Sequence, residues 1–140
     1  MKGVTYLACN TDRKSLNINP VSNKVRLGTE GLGAGNRPER GRDAAIASLE
    51  DIRRYLMESG CRMVFITAGM GGGTGTGAAP VIAKLAKEME MLTVGIVTSP
   101  LVSEGKRRWK QAMEAIAQLE QNVDALLVID NDNVVRAYDD

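Results

Sequence analysis

Residues 71–77 read Gly-Gly-Gly-Thr-Gly-Thr-Gly, and they join two segments that belong in a protein core. The run 63–68 before them is continuously apolar, as expected of a strand buried on both faces. After them, apolar residues recur at helical spacing, at Ala78, Ile82, Leu85 and Met89. This order predicts a strand, a tight glycine turn and a helix, with Thr76 as the N-cap and Pro80 in the first helical turn.

A glycine turn in this position predicts a site for an anion. Without a Cβ atom, glycine lets main-chain N–H groups come close to a ligand. At the start of a helix, those N–H groups and the positive end of the helix dipole attract negative charge. A flexible linker would have polar flanks, which this run lacks. The expected ligand is a phosphate chain, so the sequence predicts a nucleotide-binding protein.

Composition and charge exclude several classes of function. The 140 residues suffice for one domain with a core, and a net charge of +1 gives no electrostatic case for a nucleic-acid partner. No apolar run is long enough to span a bilayer and no signal peptide is visible, so we expect no membrane insertion. Cys9 and Cys61 lie in apolar surroundings and are expected to be free thiols in a reducing cytoplasm. The chain contains no histidine, which excludes histidine-based catalysis and histidine metal ligands within it.

Strand-like and helix-like segments alternate along the chain. Strands are expected near 4–8, 24–27, 63–68, 92–97 and 124–129, and helices over about 39–57, from the glycine run to 90, and from Glu104 onward. The alternation predicts an α/β fold with a mostly parallel sheet and helices on both faces. Polar segments follow the strands at 10–12, 31–38, 71–77, 99–104 and 131–133. Because ligands of such sheets bind at the carboxyl ends of strands, these segments should surround one ligand.

Two common nucleotide motifs fit poorly. A P-loop needs a lysine after its last glycine, whereas Ala78 and Ala79 follow Gly77. A dinucleotide fingerprint is met loosely by Gly73, Gly75 and Ala78, but the next strand ends at Ser99 without the carboxylate that would bind ribose. A dinucleotide-binding oxidoreductase domain therefore stays a minor alternative.

Five segments together resemble the FtsZ branch of the tubulin/FtsZ superfamily. The run Ala68-Gly69-Met70 through Ala78-Ala79-Pro80 is similar to the glycine motif of that family. Cys9-Asn10-Thr11-Asp12, Gly31 to Glu39, Glu104 to Arg108, and Asn131-Asp132 match other family segments in order and spacing. The resemblance implies a Rossmann-like GTPase domain, here without the first strand and the central helix of the family, and we expect residues 1–140 to be a part of it truncated at both ends.

The resemblance also assigns nucleotide contacts residue by residue. The phosphates would be cradled by Gly71, Gly72, Gly73, Thr74, Gly75, Thr76 and Gly77, and the terminal phosphate would lie near Gly33, Ala34 and Gly35. Glu104 would bind ribose, Arg108 the nucleotide and Asn131 the guanine edge, with Asn10 and Asp12 in the same site. The ligand would be GTP or GDP, and Mg²⁺ is the expected metal.

Each polar residue also has a structural alternative. Asp12 could cap a helix, and Glu104 could be an acidic residue that favours the start of a helix. Arg108 could belong to a solvated cluster with its neighbours, and Asn131 could only form a turn. Taken singly, none of the four residues distinguishes a ligand contact from such a role.

The family implies a cytoskeletal GTPase that polymerises head to tail into the bacterial division ring at mid-cell. Its partners would be other subunits and division-site proteins, and the neighbouring subunit would supply the catalytic carboxylates, so no catalytic residue is assigned in this chain. Alone, the chain should be inactive, and an alternative is a non-catalytic fragment that associates with full-length subunits. The missing strand should leave a gap that rearrangement, pairing with another chain or swapping between copies would close.

Overall fold

A computed structural model describes residues 3–134; residues 1–2 and 135–140 of the predicted domain lie outside that part. The described elements are β1 (Leu7–Asn10), α1 (Arg13–Ile18), β2 (Asn23–Arg26), α2 (Pro38–Ala47), α3 (Leu49–Ser59), β3 (Met63–Gly69), α4 (Thr74–Glu88), β4 (Leu92–Ser99), a 3₁₀ turn (Val102–Glu104), α5 (Lys106–Glu120) and β5 (Ala125–Asp130). Residues 131–134 are helical in backbone, where a polar turn was expected. None of the described helices is both long and apolar enough to cross a lipid bilayer.

Every strand pairing is parallel, which confirms the predicted fold class. β1 pairs with β2, and β3, β4 and β5 form a second sheet with β4 at its centre. Within residues 3–134, no strand joins the two sheets. Between β1 and β3 lies a cleft of about 670 Å³, lined mainly by apolar side chains.

The helix α4 is the centre of the hydrophobic core. One face of it packs with β3, β4 and α5 through Ala79, Ala83 and their neighbours. The opposite face packs with β2, α2 and α3 through Ala78, Leu85 and Ala86. Small side chains on both faces let the surrounding elements approach closely, so the start of α4 is held in a fixed place.

One predicted helix, 39–57, is two helices that meet at Ser48. The Ser48 hydroxyl accepts a hydrogen bond from the Gly28 N–H (2.9 Å) and donates to the Arg26 carbonyl (3.1 Å). These bonds attach the end of β2 to the break between α2 and α3. Helical periodicity continues across the break, which is why the sequence pattern did not reveal it. Gly60, with φ 66°, ends α3 as predicted.

The start of α4 also differs from expectation. The helix begins at Thr74, so Pro80 lies in its interior, and Thr76 is not the N-cap. The Thr76 hydroxyl instead accepts a hydrogen bond from the Gly71 N–H at 2.8 Å. The helix therefore includes Gly75 and Gly77, although glycine has a low helix propensity. Packing of α4 against its neighbours outweighs that propensity.

The helix α5 begins later than expected. Glu104 lies in the 3₁₀ turn, and Gly105 is the N-cap of α5. Ala112 and Leu119 of the predicted apolar face are fully buried, but Trp109 is 49% exposed. The apolar face of α5 therefore begins at Ala112, one turn after Trp109.

Candidate nucleotide site

The polar segments that follow β1, β2 and β3 are joined by hydrogen bonds. The hydroxyls of Thr11 and Thr74 lie 2.6 Å apart, which links the end of β1 to the start of α4. The Gly33 N–H donates to the Thr11 carbonyl at 3.2 Å. These contacts bring three of the predicted segments to one edge of the molecule.

The segments after β4 and β5 reach the same edge. The Val102 N–H donates to Asp132 Oδ2 at 2.9 Å, so the segment after β4 contacts the one after β5. From α5, Gln111 Nε2 donates to the Gly71 carbonyl at 2.8 Å. The five segments that the sequence singled out are therefore contiguous in space.

The glycine loop, residues 71–77, presents a row of main-chain donors. Its first N–H, of Gly71, donates to Thr76, and its last, of Gly77, donates to the Gly73 carbonyl at 3.0 Å. The N–H groups of residues 72–76 donate to no acceptor within residues 3–134. They stand at the positive end of the 15-residue helix α4. Main-chain donors at a helix N-terminus are a common arrangement for binding phosphate groups in proteins.

Close packing explains most glycines of this loop. A Cβ on Gly73 would lie 2.6 Å from the Ala34 Cβ, one on Gly75 would lie 2.7 Å from the Gly69 carbonyl oxygen, and one on Gly77 would collide with the Pro38 carbonyl oxygen. Gly71 has φ +115°, which other residues rarely adopt. At Gly72 the nearest atom would be 3.6 Å away. Packing within the protein therefore does not require glycine at position 72.

The β2–α2 loop, residues 27–37, lies against the glycine loop. Ala34 is buried, and the Arg37 N–H donates to its carbonyl at 3.1 Å. Gly33 and Gly35 have φ of 86° and 59°, which bend the chain on either side of Ala34. The structure therefore places the segment predicted near the terminal phosphate beside the predicted phosphate cradle.

Asp12 caps a helix, which was the structural alternative to a nucleotide contact. Its Oδ1 accepts hydrogen bonds from the N–H groups of Lys14 (2.9 Å) and Ser15 (3.5 Å), so it caps α1, a helix that the sequence analysis did not predict. Asn10 Oδ1 accepts from the Asp12 N–H at 3.1 Å. Both residues lie at the edge of the site, and their contact with a nucleotide remains a prediction.

Glu104 and Arg108 pair with each other. Arg108 Nη1 lies 3.0 Å from Glu104 Oε1, and Glu104 Oε2 accepts from the Leu101 N–H at 2.6 Å. Arg108 Nη2 also donates to Asn36 Oδ1 at 2.9 Å. Arg108 is thus held by specific partners, unlike its exposed neighbour Lys106. Since a carboxylate has about four acceptor positions, Glu104 keeps capacity for a ribose hydroxyl.

Asn131 follows the last strand of the sheet. It is half-buried, and its neighbour Asp130 lies opposite Ser99 in the β4–β5 register. This register puts Asn131 beside the end of β4. Its contact with guanine remains a prediction.

The sequence analysis gave no role to three residues of this site: Thr11, Asn36 and Gln111. Thr11 lies between two predicted residues, so its place could have been inferred from them. Gln111 lies three positions after Arg108, which puts both on one face of α5. For Asn36 no signal was available, because its contact with Arg108 spans 72 positions.

A parallel α/β fold with an open main-chain cradle at the carboxyl ends of its strands defines a nucleotide-binding domain. The family model described as "Tubulin/FtsZ family, GTPase domain" matches residues 2–139. The chain therefore belongs to the tubulin/FtsZ family.

Individual relatives agree with the family model. The chain is 53% identical over 143 residues to the cell division protein FtsZ of Porphyromonas gingivalis, covering 100% of this chain and 31% of the relative. It is 52% identical to that of Rickettsia bellii, covering 97% of this chain and 30% of the relative. The chain thus spans about a third of the length of these curated relatives.

Solved structures give the same result. An empty FtsZ dimer from M. jannaschii superposes with a TM-score of 0.92 at 45% identity, covering 96% of this chain and 40% of that one. A GDP-bound monomer of CetZ1 from Haloferax volcanii superposes with a TM-score of 0.84 at 27% identity, covering 90% of this chain and 41% of that one.

Proposed function

We propose that the protein binds GTP and GDP in this site and that, at its natural length, it hydrolyses GTP while subunits assemble head to tail. The observation that carries the proposal is the row of N–H groups at residues 72–76, which donate to no protein acceptor within residues 3–134. Buried or half-buried donors normally have partners, so these are available to a ligand. Five donors at a helix N-terminus suit a phosphate chain.

The surrounding residues would contact the other parts of the nucleotide. Glu104 would accept from the ribose hydroxyls, and Asn131 would hydrogen-bond to the guanine edge. Arg108, paired with Glu104 at 3.0 Å, would contribute positive charge near the phosphates. The β2–α2 loop would sense the terminal phosphate, since it packs directly against the glycine loop.

A magnesium ion would bind at this site only together with the nucleotide. Within residues 3–134, no three carboxylate or thiol side chains gather into a metal site. The hydroxyls of Thr11 and Thr74 could supply one or two oxygen ligands. Magnesium commonly takes few protein ligands and the rest from phosphates and water, and it would neutralise phosphate charge when bound.

Hydrolysis would take place between subunits. The carboxylates that orient the attacking water would come from the neighbouring subunit. The chain's own contribution would be positioning and charge stabilisation, the main sources of catalysis in phosphoryl transfer. The relatives are named cell division proteins, and one relative of known structure is a dimer. These names support a role in cell division and association between subunits. We further propose that the protein acts in the cytoplasmic division ring at mid-cell, with other subunits and division-site proteins as partners.

A calorimetric titration with GTP, GDP, ATP and NADH, using the protein at its natural length, tests the binding step. We expect binding of both guanine nucleotides, at least tenfold weaker binding of ATP, and no binding of NADH. Binding of NADH without GTP would overturn the proposal in favour of the dinucleotide alternative. Sedimentation with GTP and with GDP then tests assembly, which should require GTP.

A further inference from the structure

A network of side chains joins α5 to both loops of the site. Gln111 Nε2 donates to the Gly71 carbonyl at 2.8 Å and to the Asn36 carbonyl at 3.4 Å. Asn36 Oδ1 accepts from Arg108 Nη2 at 2.9 Å. We propose that Gln111 and Asn36 are positioning residues: Gln111 sets the direction of the Gly72 N–H, and Asn36 holds the Arg108 guanidinium beside it. This inference rests on the proposed nucleotide site.

Gln111 acts through the peptide bond between Gly71 and Gly72. In a trans peptide the C=O and the N–H point in opposite directions. By holding the Gly71 carbonyl toward α5, Gln111 turns the Gly72 N–H away from α5, into the row of free donors. Both residues are glycine, so without this bond the peptide could rotate at little cost. The Gly71 N–H is held by Thr76 at 2.8 Å, so the peptide before Gly71 is fixed as well.

Asn36 holds the Arg108 guanidinium in place. Its φ of 58° lies in the left-handed region, which asparagine tolerates better than most residues. In this conformation its Oδ1 lies 3.6 Å from the position of a Cβ on Gly72. Arg108, bonded to that oxygen and to Glu104, is therefore held next to Gly72 before any ligand binds. Ordering a long side chain in advance removes an entropic cost from binding.

Dissociation constants for GTP, GDP and guanosine test the assignment, measured on the protein at its natural length. Gln111→Met keeps the length of the side chain and removes its donor, and Gln111→Glu places a carboxylate against the Gly71 carbonyl. We expect both to weaken GTP and GDP binding about tenfold while guanosine binding stays unchanged, because only the phosphates need the Gly72 N–H. Gln118→Ala, at an exposed position of the same helix, is the control and should bind as the parent does.

Asn36 is tested by a double-mutant cycle. Asn36→Gly keeps the left-handed backbone accessible and removes the acceptor; it should weaken GTP binding severalfold in the parent and not at all in an Arg108→Ala background. If the variants lose as much affinity for guanosine as for GTP, the residues have only a structural role and the assignment is overturned. It is also overturned if the effects of the Asn36 and Arg108 substitutions on GTP affinity are additive.

The outcomes separate this inference from the function on which it rests. A protein that binds no guanine nucleotide overturns both. A parent that binds GTP, with Gln111 and Asn36 variants that bind equally well, overturns only the positioning roles.

Discussion

At the scale of single residues, the glycines of the glycine loop that have negative φ are of two kinds. Gly73, Gly75 and Gly77 are required because neighbouring atoms occupy the space of a Cβ. Gly72 has room for one, so its glycine is better explained by close approach of a ligand. A glycine pattern in a sequence does not show whether a glycine is needed for packing or for ligand approach. Substitution by alanine should lower stability in the first case and ligand affinity in the second.

Alanine substitutions at Gly72 and Gly77 should therefore separate binding from folding. Gly77→Ala forces a methyl group onto the Pro38 carbonyl and should lower the free energy of unfolding by about 1–3 kcal/mol. Gly72→Ala should change stability by less than about 1 kcal/mol, yet weaken GTP binding at least tenfold. Urea unfolding and nucleotide titration of both variants provide the measurements. If Gly72→Ala binds GTP normally, the cradle is not where the phosphates lie.

The two cysteines should differ in reactivity. Burial raises the pKa of the Cys9 thiol from 9.0 to about 11, whereas Cys61 is exposed. A raised pKa means less thiolate at a given pH, about one part in a thousand for Cys9 at pH 8. We expect iodoacetamide to modify Cys61 at least tenfold faster at pH 8, with the Cys9 rate rising toward pH 11. Mass spectrometry of timed samples, with Cys61→Ser as control, checks this.

The same pKa shift affects stability at high pH. A thiol whose pKa is raised by folding stabilises the protein fully below pH 9 and loses that contribution as the pH rises toward 11. Cys9→Ala should therefore lose less stability than the parent between those pH values. Equal pH dependence of the two proteins would contradict the burial of this thiol.

At the scale of elements, the break between α2 and α3 is fixed by one hydroxyl. Ser48 is buried, and it satisfies the Gly28 N–H and the Arg26 carbonyl at the end of β2. Because β2 leads into the β2–α2 loop, this contact also determines where that loop starts. The position of the loop against the glycine loop thus depends on a residue outside the site.

Ser48→Ala should destabilise the fold by about 1–3 kcal/mol, because it leaves a donor and an acceptor of the main chain without their partner. Ser15→Ala is the matched control: the Ser15 hydroxyl is exposed and, among residues 3–134, bonds only to Asp12, at 3.3 Å. Chemical unfolding of the three proteins gives the comparison. A loss no larger for Ser48→Ala than for Ser15→Ala would show that water replaces the hydroxyl.

Periodicity and apolar runs predicted five strands, the parallel pairing and most of the flanking helices. The first strand lies at Leu7–Asn10 and not at 4–8, and α1 was not predicted. These patterns could not predict the break at Ser48 or the early start of α4, because both are set by hydrogen bonds and packing distant in sequence. For the site, the polar segments after the strands were identified, and the structure brings them together. The bridge formed by Asn36, Arg108 and Gln111 was not identified, since no local pattern marks a contact between distant loops.

At the scale of the whole molecule, GTP hydrolysis should depend on assembly. If the neighbouring subunit supplies the water-orienting carboxylates, turnover per subunit at the natural length should rise with protein concentration and then level off. Residues 1–140 alone should bind GTP weakly and show negligible turnover. Phosphate release measured across concentrations checks both expectations. A rate per subunit that is independent of concentration, or robust turnover by residues 1–140 alone, would contradict hydrolysis between subunits.

The cleft between β1 and β3 should govern the behaviour of residues 1–140 in isolation. Within the described residues, each of these strands is paired along one edge only, and Phe65 in the cleft is 56% exposed. Unpaired strand edges beside apolar surface favour association between chains. We therefore expect this polypeptide to sediment as an oligomer and to bind the dye ANS.

Phe65→Ser should weaken both effects, because it removes an exposed aromatic side chain from the cleft. Trp109→Ser, which removes a similarly exposed aromatic from α5, is the control and should leave both unchanged. Analytical ultracentrifugation over a concentration series, read with ANS fluorescence, distinguishes the cases. A monodisperse monomer that binds no dye would mean that the cleft closes in solution, and equal effects of the two variants would mean that association uses another surface.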